Sequence, residues 1–218
     1  MPESNVKHRL GRAVWESAQD TITATMAATL LQDAVADWGS WSIGRAKPGK
    51  NVNMIPLQLN GKNVYLQTAL TTDAAHSWVM CNPSVFNGTG AEERKSILIA
   101  TPFYQIENLR LIEAWVRNQL RSAYPDIDQI WNSPIKITDN YPPSIRAKIW
   151  VGGFNPCKFY DENRQPCETP TDIAGLQVVP IVMLNAYVQS KIAGLLIETV
   201  ALKIIGKKRS THPEFSFA

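Results

Sequence analysis

Residues 145–151 read IRAKIWV, residues 176–184 read LQVVPIVML and residues 195–205 read LLIETVALKII. These three runs decide the fold. In the first, Ala147, Ile149 and Val151 fall on one face while Arg146, Lys148 and Trp150 fall on the other, the period-two signature of a half-buried strand. Gly152-Gly153 breaks that run, and a bend near Gln189–Lys191 separates the other two. Short apolar or alternating runs bounded by turn residues read as strands. A barrel-like group of strands is therefore expected between about Ile145 and Ile205.

Working outward, residues 53–70 read NMIPLQLNGKNVYLQTAL. Ile55, Leu57 and Leu59 alternate, Asn60-Gly61 follows, and Val64 and Leu66 alternate again. Asn-Gly between alternating runs predicts a hairpin, because both central residues of a type I′ turn need positive φ. His76–Cys81 and Ser96–Ala100 are further strand candidates. Between residues 103 and 124, Ile106, Leu109, Ile112, Trp115, Val116, Leu120 and Tyr124 recur every three or four positions, which predicts a helix that Pro125 stops. Trp131–Pro143 reads as a connector. Phe159 is expected in the core, with Tyr160 facing the other way and a turn at Asp161–Gln165. Near the start, Asp20 or Thr21 caps an expected helix through Ile22, Met26, Leu30, Leu31 and Val35; it packs on its own domain or serves a neighbouring subunit. Residues 38–53, WGSWSIGRAKPGKNVN, read as a loop or irregular strand pair. The reading is α+β, predominantly β, with an N-terminal helical arm and loop (1–50), a barrel domain (51–206) and a C-terminal tail (207–218).

Bulk properties narrow the function classes. The net charge is +3 over 218 residues, which permits nucleic-acid binding and excludes a histone-like protein. Cys81, Cys157 and Cys167 form no CxxC pair, and His8, His76 and His212 are isolated, so neither a disulfide scaffold nor a zinc site is expected. No cofactor is implied. No signal peptide is read, and the longest apolar run, Ile192–Ile205, is interrupted by Glu198 and Lys203 and is too short for a bilayer. The chain reads as soluble and intracellular, with no membrane partner. No GxSxG, HExxH, P-loop or GxGxxG motif is present, and the close carboxylate pairs sit at turns, so no enzyme is read.

Binding chemistry is better represented. Sequence-tolerant binding of a single strand needs cations along the phosphates and π-faces for the bases. Arg146, Lys148 and Trp150 share a strand face. Lys158, Tyr160 and Arg164, with Phe154, interleave aromatics and charge. Tyr187 and Lys191 repeat the pairing at the bend, and Lys62 and Tyr65 flank the hairpin turn. Trp38, Trp41, Arg45, Lys47 and Lys50 lie upstream. Trp115 reads as core, Trp78 and Trp131 as core or loop anchors, and Trp150 as either packed or available to a ligand. Two classes stay open: a single-stranded-DNA-binding protein that forms a homo-oligomer, and a viral coat or scaffold subunit with a jelly-roll-like β core.

The segment KFYDENRQPCETPTDIAGLQVVPIVMLNAYVQSKIAGLLIETVALKII (158–205) has a short strand, a turn from Asp161, Pro170, Gly175 before a long strand, a Tyr-x-x-x-Lys bend, Gly194 and a last strand. This series resembles the carboxy-terminal half of the OB-fold single-stranded-DNA-binding proteins of short-tailed coliphages. It is still more similar to their relatives in nucleocytoplasmic large DNA viruses, where a hairpin like LQLNGKNVYLQT, a central helix and a YPPSIRAKI-like strand come first. The resemblance spans about residues 52–205. It implies an OB-like Greek-key barrel with a central helix, coating of exposed strands during replication and recombination, and replication proteins as partners. Tyr187 and Lys191 match the family's aromatic and basic contact bend. The family's acidic tail has no counterpart in the closing KKRSTHPEFSFA.

Overall fold

The alternating runs pair as their period predicts. The computed structural model describes residues 28–49, 51–68, 77–81, 84–85, 94–152 and 156–207. Five of its strands are β1 (Ser77–Val79), β2 (Arg94–Ala100), β3 (Tyr141–Trp150), β4 (Leu176–Val188) and β5 (Ala193–Lys207). β1 pairs with β2, β2 with β3, β3 with β5 and β5 with β4, and β4 returns to β1. The circuit closes in the order 1-2-3-5-4-1, and only the β3–β5 pairing is parallel. This is an OB-like Greek-key barrel. The two facing sheets of a jelly roll are a different arrangement of strands.

The β4–β5 hairpin is the frame. Its strands pair from Leu176 opposite Lys207 to Val188 opposite Ala193. The register skips Val200 and Ile205 on β5, so each is a one-residue bulge that moves the following residues to the opposite face. The other edge of β4 is covered in turn by Asn53–Pro56, by Tyr65–Gln67 and by β1. Asn60 and Gly61 join the first two at φ values of 52° and 73°, as a type I′ turn requires. Inside lie Ile97, Ile99, Ile145, Ile149, Leu184, Ile197 and Leu202, all fully or almost fully buried.

A helix, α1 (Phe103–Leu120), connects β2 to β3 and buries Ile106, Leu109, Ile112, Val116 and Leu120. Its buried Glu113 accepts hydrogen bonds from Trp131 Nε1 at 2.9 Å and Ser133 Oγ at 2.8 Å. A carboxylate hidden from water needs such donors, and here they fasten the connector after α1 to the helix.

Several expectations are corrected. Instead of continuing a helix through Val35, the chain forms a strand at Thr29–Leu30, parallel to Leu66–Gln67, then a single helical turn, Leu31–Ala34. The open edge of the 65–67 strand supplies backbone partners that a helix would have to find internally. The rest of that expected helix, with the tail after 207, Lys50 and Phe154, lies outside the described residues. α1 ends at Leu120, four residues early, and the connector carries two short strands, Trp131–Asn132 and Ile135–Thr138. Trp38 and Trp41, read as upstream binding aromatics, pack instead with Trp115, at centroid distances of 5.6–5.9 Å. Trp41 is buried and donates from Nε1 to Ala34 O at 2.7 Å. Trp115 is only half-buried. Phe159 is in the core, as its alternation with Tyr160 predicts.

A Cβ at Gly194 would lie 2.5 Å from Asn132 O and 2.8 Å from the Tyr187 hydroxyl, so Gly194→Ala forces backbone apart. It is expected to destabilise the protein by about 1–3 kcal/mol in a denaturant titration. An unchanged midpoint would contradict this packing. Burial pushes the Cys157 thiol up to about 12, while Cys81 and Cys167 are exposed. At pH 8 a disulfide reagent should modify Cys81 and Cys167 promptly and Cys157 only after denaturation. Above pH 9 the unfolded thiol ionises while the folded one does not, so this group's contribution to stability falls as pH rises towards 12.

Candidate nucleic-acid interface

Directly opposed residues of paired strands project to the same side of a sheet. Tyr65 opposes Met183, Met183 opposes Glu198, Glu198 opposes Lys148, and Lys148 opposes Ser96. These five make one row across the outside of the barrel. Two residues along, Trp150 opposes Arg94, and Arg146 opposes Leu98 on the other flank. A further row runs Lys47, Met54, Tyr187, Gly194, Asn132. Between them lie Asn185 and Leu196, opposed to each other.

The bulge at Val200 extends this face. Beyond it Lys158 pairs with Ala201 and Tyr160 with Lys203, while Phe159 pairs with the buried Leu202. Without the extra residue, β5 would present Leu202 outward and Lys203 inward. Arg164, exposed and at φ 64°, sits in the turn from Asp161 to Gln165, whose shape is set by Asp161 Oδ1 accepting from Asn163 N and Gln165 N, both at 2.8 Å.

The register thus brings Tyr65, Lys148, Trp150, Tyr187, Arg146, Lys158 and Tyr160 onto the barrel exterior. Arg146, Lys158, Lys191 and Lys62 are exposed, and Lys148, Trp150, Tyr160, Tyr187 and Tyr65 are half-buried. Lys62 lies beyond the hairpin turn opposite Leu59, and Lys191 at the β4–β5 turn, both at the margins. Beside that turn an open cleft of about 510 Å³ is lined by Asn51, Asn53, Tyr124, Asp126, Gln189 and Ser190, among others.

The sequence reading missed Arg94, Ser96 and Glu198. Lys148 Nζ donates to Ser96 Oγ at 2.7 Å, and Trp150 Nε1 donates to Glu198 Oε1. The Arg94 guanidinium lies over the Trp150 ring, 5.4 Å from its centroid, with one terminal nitrogen 4.0 Å from Glu198 Oε2. A signal was available: Lys47, Lys62, Arg94, Lys95, Lys136, Arg146, Lys148, Lys158, Lys203 and Lys207 all fall in strands. Glu198 is the only carboxylate in a described strand. The other described acids occupy helices, turns and loops.

Among the described residues no helix is long and apolar enough to cross a membrane, and no three His, Cys, Asp or Glu side chains gather as a metal site.

No family model matches the chain, and no curated protein matches it. Among solved structures it is similar to gp2.5, a single-stranded DNA binding protein encoded by bacteriophage T7, at 9% identity and a TM-score of 0.49, over 66% of this chain and 96% of that one. It is also similar to the single-stranded DNA-binding protein from bacteriophage Enc34 in complex with ssDNA, at 13% identity and a TM-score of 0.42, over 80% of this chain and 99% of that one.

Proposed function

We propose that this protein binds single-stranded DNA without strong sequence preference, laying the strand across the outer face of the barrel and coating strands exposed in replication or recombination. The observation that supports this most is the composition of that face. The register gathers Tyr65, Trp150, Tyr160 and Tyr187 among Lys47, Arg94, Arg146, Lys148, Lys158 and Lys203, with one carboxylate. Cations follow phosphates, and an aromatic face accepts any base, since every base has a π-face. The face of the second and third strands and the loop between the fourth and fifth are where OB barrels take oligonucleotides. Here those are β2 and β3, with Arg94, Ser96, Arg146, Lys148 and Trp150, and the turn bearing Lys191. Roles follow from position: Trp150 as the central stacking platform, Tyr65 and Tyr187 as flanking ones, and Arg146, Lys158 and Lys191 as phosphate contacts, with Lys62 and Arg164 at the ends of the path.

Titration with oligo-dT is expected to quench tryptophan fluorescence, with affinity falling linearly in log–log against salt by about 0.7 per phosphate neutralised. Binding that shows neither quenching nor salt dependence would sink the proposal. Trp150→Ala should weaken binding by about 1–3 kcal/mol, with Trp150→Phe retaining most of the affinity. Arg146→Ala should reduce the salt slope by about 0.7 with little effect on stability, because its side chain is exposed.

A further inference from the structure

Glu198, the one carboxylate among the described strands, sits in the middle of the face proposed above for DNA. Glu198 is largely covered, its side chain 13% exposed, and its two oxygens have different partners. Oε1 accepts from Trp150 Nε1, which holds the indole by its edge. Oε2 is 4.0 Å from an Arg94 terminal nitrogen, beyond hydrogen-bond length, and the Arg94 guanidinium lies over the indole at 5.4 Å. Arg94 Nε is buried and has no hydrogen-bond partner. The arginine is therefore under-satisfied. It carries a buried donor with no acceptor, is drawn by a carboxylate it does not fully engage, and covers the ring face on which a base would stack.

A buried donor without a partner costs free energy that a suitable acceptor recovers. A backbone phosphodiester is such an acceptor: its single negative charge is shared by two oxygens matched to the guanidinium fork, whereas one Glu198 oxygen is already taken by the indole. We propose that Glu198 is a positioning residue that holds Arg94 over Trp150 in the free protein, and that strand binding hands Arg94 from Glu198 to a phosphate and uncovers the indole. The same carboxylate keeps hold of the indole edge throughout, so the platform does not turn when its cover leaves. Glu198 thus lowers affinity for strands while ordering the site that receives them. This rests on the reading of the face as a single-stranded-DNA site.

The test measures binding of labelled oligo-dT by anisotropy across a salt series, for the full chain and for Glu198→Gln, Arg94→Ala and the double variant, with thermal unfolding of each as a check on folding. Gln keeps the acceptor for Trp150 and removes the charge, so Glu198→Gln is expected to bind tighter by roughly twofold to fivefold, the span of one partly exposed ion pair. Arg94→Ala should bind more weakly and lose about 0.7 from the salt slope. In the Arg94→Ala background, Glu198→Gln should give little gain, because the carboxylate acts through the arginine. If Glu198 only pins the indole, Glu198→Gln matches wild type, which overturns the proposal. A gain that persists undiminished without Arg94 also overturns it. Should Glu198→Gln fail to fold, an unchanged salt slope in Arg94→Ala decides against the exchange. Wild-type protein that does not bind oligo-dT at all overturns the reading of the face, and this proposal with it.

Discussion

Everything outside the β4–β5 hairpin is positioned by it. One long antiparallel pairing, Leu176–Val188 with Ala193–Lys207, offers two free edges, and each is filled by several shorter segments. The edge of β5 takes β3, the strand Trp131–Asn132 and the strand Lys158–Tyr160, all parallel to it. The edge of β4 takes Asn53–Pro56, Tyr65–Gln67 and β1, all antiparallel. Because β3 and β1 also join through β2, the two edges meet and the barrel closes. Closure removes the open edges that would otherwise template pairing with another chain, and it divides every strand into a packed inner face and an outer face free to carry other chemistry.

The two bulges on β5 matter for that outer face more than for the core. A strand fifteen residues long, as β5 is, cannot keep strict alternation and follow a tightly curved barrel. The extra residue at Val200 absorbs the bend and changes which residues point out. On one side of it Gly194, Leu196 and Glu198 face outward; on the other, Ala201 and Lys203 do. Lys158 and Tyr160 join the same exterior as Lys148 and Trp150 for this reason. The aromatic and cationic residues of seven separate strands thus become one surface.

Local patterns made much of this legible. Asn60-Gly61 named its own turn, and the strict alternation through Arg146–Trp150 placed two cations and an indole opposite an apolar face. The three-and-four spacing from Ile106 to Leu120 gave α1 to within its last turn. What the pattern missed was decided by partners distant in sequence. Thr29–Leu30 became a strand because a backbone edge at residues 66–67 was waiting for it, and Trp41 entered the core because Trp38 and Trp115 close over it. Arg94 was overlooked for a similar reason: in sequence it follows a polar loop, and only pairing opposite Trp150 shows that it belongs to β2. Cross-strand neighbours fifty residues apart leave no trace in local periodicity.

Glu198 is the position where local and global demands meet. Covering a carboxylate is costly unless donors replace its water, and a surface suited to phosphates gains nothing from an added negative charge. An apolar residue in its place would have packed against Met183 without that cost, but it would leave Trp150 Nε1 without an acceptor and the indole free to choose another rotamer. Stacking depends on a ring held in a fixed plane, and an indole held at its edge through its one polar atom meets that need, with Arg94 over the ring as its cover in the free protein. The cations around Glu198 offset its charge: Lys148 opposes it in the register and an Arg94 terminal nitrogen lies 4.0 Å from its Oε2. The carboxylate therefore orders the centre of a basic surface at the expense of some of that surface's attraction, and the arginine over the ring is where the two effects are coupled.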